Sequence, residues 1–463
     1  MNRPASLTRR HLLTVAAGLG LLGESPAATG GSAEPDFDSI LRPQFGVGDP
    51  GCAVLVQRGG RTLWRAAYGS SGRSPGQAIA PDSQFRIGSI TKTFSAMLAL
   101  RLVDAGKLDL DAPVGGYLAE WPREMPAFTL RQLLSHTAGL GQYTELPEFR
   151  RQAARGFSSA ELLALCAKTP RLAAPGERYL YSNTGYALVG CLIEAVDGRP
   201  FEKAMADEVL RPLGLTDTGF EDQVGSGSRL VLGHGRRMAD GSRGAVHAVH
   251  PSGIAASGGL ISTVDDLAKW NAASRAGQLL RPATAALLAT PVRLSEGTLA
   301  PTGLGWMLRE LQGQTALEHS GSTQGFIGHL LYLPASELLV AVLMNESTGR
   351  QPGPGYLCEQ LAAAALGRAA ADWAVIELPQ DALQPLLGDY GEPEVRRHME
   401  LYQGRLMVRR GPSRALLEAL SPTHFIDRRR GVVHYKFQTD DKGAAKVLTI
   451  QREGSPDLTL VRQ

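Results

Sequence analysis

Residues 90–105 are apolar nearly all the way round. Ile90, Phe94, Met97, Leu98, Leu100, Leu102 and Val103 leave no polar face at helical spacing. A helix of that kind has to be enclosed by other elements rather than laid on a surface. Gly106 follows as a natural stop. The chain therefore needs enough additional structure to surround this helix, and its 463 residues with 43 % hydrophobic content supply it.

The flanking patterns indicate what does the surrounding. Residues 52–58 and 61–68 read as strands, with Gly59-Gly60 supplying the positive φ of a tight hairpin. Strand character returns at TALEHSG, GFIGHLLYLP and ELLVAVLMN, the last two joined by a turn at Pro334-Ala335-Ser336. A helix is expected from Tyr356 to Leu366. Between these ends, residues 129–290 are mainly helical with long loops, and Ser262 or Thr263 is placed to cap STVDDLAKWNAA. The expected fold is α/β (α+β): an antiparallel sheet built from both ends, flanked by helices, with a mainly helical insertion.

The expected domains are 34–370 for this unit, a connector at 371–382, and a small all-β, barrel-like unit at 383–463. The last contains hairpin turns at Gln403-Gly404 and near Asp440 to Gly443.

Residues 1–33 read as an export signal. Arg9 and Arg10 precede the short apolar run Leu12 to Leu22, and small residues follow. Paired arginines at this place resemble a twin-arginine signal, which predicts a periplasmic or secreted protein. No later stretch is long and apolar enough to predict a membrane helix. Setting aside Arg3, Arg9, Arg10 and Glu24 leaves 45 basic and 44 acidic residues, a balance without the footprint of a nucleic-acid binder. The oligomeric state is not legible.

The four cysteines, Cys52, Cys166, Cys191 and Cys358, form no CxxC pair. Cys166 and Cys191 lie in apolar helical patterns and are read as buried thiols. His247 and His250 form HxxH without a third ligand at convincing spacing, so a metal hydrolase is disfavoured. His136, in SHTAGL, is read as a structural loop residue.

Ser89-Ile90-Thr91-Lys92 opens the buried helix and is the chain's one SxxK. Residues i and i+3 share a helix face, so Lys92 can approach the Ser89 hydroxyl. Burial removes solvation from the lysine and favours its neutral, basic form. Tyr181-Ser182-Asn183 is the one YxN: a phenol beside a lysine can pass a proton, and an asparagine amide can hold a substrate amide. His319-Ser320-Gly321 ends TALEH. There a histidine and a hydroxyl can bind a carboxylate or carbonyl, and Gly321 lets a substrate backbone approach.

SxxK, YxN and HxG in this order resemble the serine β-lactamase and penicillin-recognising family. The branch it resembles contains class C β-lactamases, DD-peptidases, D-aminopeptidases and esterases. FRIGSITKTF, LLSHTAGL, GERYLYSNTGYALVG, GIAASGGLISTVDDLAKW and HSGSTQGF support this over residues 40–366. The resemblance implies a serine hydrolase that forms an acyl-enzyme on Ser89, with Lys92 and Tyr181 moving protons. It further implies that Asn183, His319, Ser320 and Gly321 bind substrate and that the backbone N–H groups of Ser89 and Ser322 form the oxyanion hole, with no metal or organic cofactor. Histidine where β-lactamases carry lysine shifts the expectation from β-lactam hydrolysis toward DD-peptidase, D-aminopeptidase or esterase chemistry. Two other readings are a class C-type β-lactamase and a penicillin-binding sensor that is acylated without turning over.

Overall fold

The computed structural model describes residues 35–463 apart from 47, 75, 119–120, 123–126, 222–228, 236–242, 245, 247–248, 347–351, 369–372, 394, 412, 430 and 456. The export-signal reading, the expected boundary at 33/34, most of the start of the connector, and His247 of HxxH all lie outside the described residues.

Strand β1 (Cys52–Arg58) turns into β2 (Arg61–Tyr68) through Gly59 and Gly60, whose φ values are 55° and 77°. Only residues without a Cβ adopt such a pair at little cost. Two short strands, β3 (Phe85–Arg86) and β4 (Ile261–Ser262), pair with each other beside the buried helix. The main sheet is completed by β5 (Met307–Leu311), β6 (Gln314–Thr323), β7 (Phe326–Leu333) and β8 (Leu338–Met344), in the order β2-β1-β8-β7-β6-β5. Strand β1 pairs antiparallel with β8 from Cys52↔Met344 to Arg58↔Leu338, so the sheet is built from both ends of its sequence, as the pattern predicts.

The apolar helix spans Thr91–Asp104 and is buried along almost its whole length; Gly106 follows at φ 70°. Phe94 stacks on Trp270 with ring centroids 4.0 Å apart, and the indole N–H of Trp270 donates to Thr93 Oγ1. Several of the insertion's helices start on capping residues. Thr129 and Ser158 each form a capping box, and Thr263 caps Val264–Arg275 by accepting from Asp266 N. On the other face of the sheet, the helix Pro354–Ala365 covers a second core that includes Val54, Leu331, Val340 and Leu361. All four cysteines are buried and none is in a disulfide.

The C-terminal strands form two open sheets rather than a closed ring. One contains β9 (Gly388–Tyr390), β10 (Arg397–Tyr402), β11 (Arg405–Arg410) and β12 (Ser413–Leu416). The other contains β13 (Glu418–Ser421), β14 (His424–Asp427), β15 (Val433–Thr439), β16 (Ala445–Arg452) and β17 (Leu458–Val461). They meet where Gly391 N donates to Val461 O and Gln463 N to Asp389 O. These strands enclose a core of their own, with Met399, Leu406, Phe425, Phe437 and Leu448. Ile376, from the expected connector, already bonds to Ala419. Arg452 reaches back to Glu318 of β6 at 2.9 Å, where Arg309 also binds the same carboxylate at 2.9 Å. Burial alone would raise the Glu318 carboxyl; contact with His329 and the charges of Arg309 and Arg452 hold it well below the usual range.

Candidate active site

Ser89 sits in a single 3-10 turn, Gly88–Ile90, that leads into the buried helix. Two glycines fix where this turn lies. Gly88 has φ 50°, and a Cβ there would stand 2.6 Å from Ser322 N. A Cβ on Gly321 would stand 1.9 Å from Ile87 O. The turn carrying Ser89 is thus pressed directly onto the backbone of β6. The sequence reading gave Gly321 to the approach of substrate; in the structure it is the turn carrying Ser89 that occupies the space. Strand β5 stops pairing with β6 at Glu318, which leaves the edge from His319 onward open toward the cleft.

Lys92 is fully buried. Its Nζ lies 3.0 Å from Ser89 Oγ, 2.9 Å from Asn183 Oδ1 and 2.6 Å from Ser257 O. Burial pushes its pKa well below the ordinary lysine value. A neutral amine has two N–H donors and one lone pair. Asn183 Oδ1 and Ser257 O can only accept, so they take both donors and the lone pair is left for the Ser89 hydroxyl proton. The supply of Ser257 O is a feature the sequence reading missed. Residues 256–260 are fastened to the helix by Ser95 Oγ donating to Ala256 O and by Leu260 N donating to Thr91 Oγ1. The small-residue run AASGG is the sequence signal for so close an approach.

The YxN segment opens the helix Asn183–Asp197. Ser182, not Asn183, is the cap, accepting from Gly185 N at 3.2 Å. Asn183 is therefore the first helical residue, with its side chain turned to Lys92. Its carbonyl oxygen is already engaged there, so what remains for a substrate is the amide N–H donor, half of the role the sequence suggested. The Tyr181 ring lies over Lys92, with Nζ 5.0 Å from the centroid.

His136 and Gln142 hold this segment. His136, at φ 59°, stacks on Tyr181 at 4.3 Å, and its Nδ1 accepts from Ser182 N at 3.0 Å. Burial, with Lys92 adding, pushes its pKa well down, so the ring is neutral. Gln142 donates to Tyr181 O at 2.6 Å and accepts from Asn183 N at 3.0 Å. His136 is structural, as expected, but the structure it secures is the site itself.

His319 is not at a strand end: β6 continues to Thr323. The imidazole is buried, its Nδ1 lies 2.8 Å from Ser320 O, and its Nε2 has no hydrogen-bond partner among the described residues. A carbonyl partner requires the proton on Nδ1, so Nε2 presents a lone pair. Burial, reinforced by Lys92, pushes the pKa down to about 3. With the ring neutral, the side chain at this position offers an acceptor rather than a cation.

Ser320 also differs from expectation. Its register partner is His329, whereas His319 pairs with Leu330, which belongs to the core around the helix Thr91–Asp104. Alternation puts the two side chains on opposite faces of β6. The Ser320 hydroxyl lies 2.8 Å from His329 Nδ1, away from Ser89. Of the HxxH pair, His250 caps a short turn by accepting from Ser252 N.

A cleft of about 670 Å³ opens at Ser89. Its lining includes Asn183, Ser257, Gly258, Ser322, Thr323 and Gln324 on the one hand, and Phe149, Arg150, Arg151, Ala153, Ala154, Val249 and Ile254 on the other.

The family model described as Beta-lactamase matches residues 37–357. The chain belongs to the beta-lactamase family. Esterase EstB from Burkholderia gladioli is 31 % identical over 359 residues, covering 69 % of this chain and 91 % of its own. Penicillin-binding protein 4 from Amycolatopsis lactamdurans is 29 % identical over 326 residues, covering 67 % and 83 %. The solved structure of a D-stereospecific amidohydrolase from Streptomyces sp. superposes with a TM-score of 0.60 at 27 % identity, covering 72 % of this chain and 98 % of that one. Like these beta-lactamase family members, the protein is a serine hydrolase that works through an acyl-enzyme on an amide, peptide or ester carbonyl.

Proposed function

We propose that Ser89 is the nucleophile and Lys92 its base, and that the enzyme cleaves esters or amides whose leaving group carries no carboxylate next to the scissile bond. The observation that carries the first part is the position of the buried Lys92, whose Nζ lies 3.0 Å from Ser89 Oγ with Asn183 Oδ1 and Ser257 O as its other two partners. Ser89 Oγ adds to the carbonyl carbon as its proton passes to Lys92 Nζ. The backbone N–H groups of Ser89 and Ser322 receive the oxyanion. Tyr181, over the lysine, carries the proton on to the departing alcohol or amine. Water then adds to the acyl-enzyme by the reverse route, releasing the acid and restoring Ser89.

His319 supports the second part. β-Lactams and D-Ala-D-Ala peptides present a carboxylate, for which a cation is the fitting partner. A neutral imidazole whose buried Nε2 has no hydrogen-bond partner among the described residues suits an N–H or O–H donor instead. Esterase and D-amino-acid amidase activities both fit, and the relatives include an esterase and a D-stereospecific amidohydrolase.

The test is a panel on purified protein: short-chain p-nitrophenyl esters, D-amino-acid amides, D-Ala-D-Ala peptides and a chromogenic cephalosporin. Turnover of esters or amides well above the other two, abolished in Ser89→Ala, is the expected result. Activity that survives Ser89→Ala overturns the assignment of the nucleophile. A persistent penicilloyl adduct by mass spectrometry with no turnover of any substrate favours the sensor. We further propose, on the leader pattern alone, that the protein works outside the cytoplasm.

A further inference from the structure

Among the described residues, the charges that line the cleft are all of one sign. Among the described residues its lining contains Arg150 and Arg151 and no acidic side chain. Both arginines are exposed and lie in the short helix Pro147–Gln152, next to Phe149. Neither guanidinium makes a hydrogen bond or ion pair among the described residues, whereas that of their neighbour Arg155 is held by Glu161 at 2.9 Å. Glu148, on the same helix, is engaged by Lys168 at 3.4 Å and acts on Arg151 only at longer range. The same lining includes the apolar residues Phe149, Ala153, Ala154, Val249 and Ile254, with Thr144 beside them.

Resting on the reading of Ser89 as nucleophile, we infer that the substrate is an amphipathic ester or amide whose far end is anionic, and that Arg150 and Arg151 select it. An apolar segment lies along Phe149 and Ile254. A carboxylate or phosphate at its end meets two guanidinium groups with no competing partner. Single-sign charge at a cleft mouth also concentrates anionic ligands there before they bind. The anion concerned is remote from the scissile carbonyl, so the neutral His319 does not oppose it.

The experiment compares matched esters with and without a terminal carboxylate, in graded chain length. One series has the anion on the acyl side (p-nitrophenyl monoesters of dicarboxylic acids), the other on the alcohol side. In one of the two series the wild type favours the anionic member in kcat/KM by about five- to tenfold, the range expected of partly exposed charge-assisted pairs. The ratio falls toward one in Arg150→Ala/Arg151→Ala and in high salt, inverts in Arg150→Glu/Arg151→Glu, and persists in Arg155→Ala. No anionic preference in either series, or a preference that survives Arg150→Ala/Arg151→Ala, overturns the inference while Ser89-dependent turnover of the neutral esters keeps the functional reading. If no ester is turned over, equilibrium binding of the same pairs to Ser89→Ala decides: tighter anionic binding that depends on the two arginines supports the inference, and equal binding overturns it.

Discussion

Lys92 Nζ stands 3.0 Å from Ser89 Oγ, and its other two contacts, Asn183 Oδ1 and Ser257 O, have no proton to give. Burial disfavours the ammonium here, and in the neutral amine the third contact is a lone pair meeting a hydroxyl. Lys92→Met should lower kcat by about 10²- to 10⁴-fold, the usual contribution of a general base. It should leave thermal stability nearly unchanged, since loss of the contacts to Asn183 and Ser257 is offset by removal of a desolvated amine. Lys92→Arg should not rescue, because guanidinium stays protonated. Circular dichroism melts beside kcat separate the two effects, and a folded Lys92→Met with normal turnover refutes the role.

The lowered pKa of Lys92 gives the pH profile its sign. The base is active when neutral, so kcat/KM should fall as pH drops through the lowered value. That acidic limb should lie at the same pH for ester and amide substrates, because it belongs to the free enzyme.

Stability should move in the same direction through the buried histidines. His319 titrates near 3 when folded and near 6.5 when unfolded, and His136 is also shifted down. The unfolded chain therefore binds more protons as pH falls below 6.5, and stability declines with acid by about 1.4 kcal/mol per pH unit for each histidine within its window. Urea midpoints between pH 7 and pH 4 measure this. A flat series for wild type, or one unchanged in His319→Gln, contradicts the assignment.

Much of this site is legible locally. The SxxK pair shares one helix turn, and the buried character of residues 90–105 is visible without any partner. The hairpins at Gly59-Gly60 and Gln403-Gly404 are equally local, since each needs only two residues at positive φ. What the sequence hides depends on register and on distance along the chain. The face taken by Ser320 follows from its pairing with His329, which is settled only when β6 is seen to run on to Thr323. The partners that define the state of Lys92 come from 91 and 165 residues away. Nothing local in AASGG shows that a backbone carbonyl will meet that lysine.

Gly321 gives a steric prediction. A methyl group there would lie 1.9 Å from Ile87 O, against backbone that cannot rotate away. Gly321→Ala should therefore push the turn carrying Ser89 off β6 and separate the Ser89 and Ser322 N–H groups. A cost of about 1–3 kcal/mol is expected for the overpacking. Loss of one well-placed oxyanion donor alone costs about 10²- to 10³-fold in kcat. Folded Gly321→Ala protein should thus be far more impaired in kcat than in KM. Normal kcat in that variant would show that the two N–H groups do not act together.

His136 and Gln142 test whether the YxN segment is held from outside. His136 accepts from Ser182 N through Nδ1 while its ring supports Tyr181, and Gln142 brackets the same three residues with both ends of its amide. His136→Phe keeps a ring against Tyr181 but leaves a buried N–H without an acceptor, at a cost of about 1–3 kcal/mol. It also places a bulky residue at φ 59°. His136→Asn tolerates that backbone and can offer an acceptor, so it should recover part of the stability while losing the stack on Tyr181. If His136 acts only on folding, kcat of the two folded variants at low temperature will match the wild type. If it positions Tyr181, both will show lower kcat with KM little changed, and adding Gln142→Ala to His136→Asn will lower kcat by more than the sum of the separate losses, because each side chain alone limits how far the segment can move.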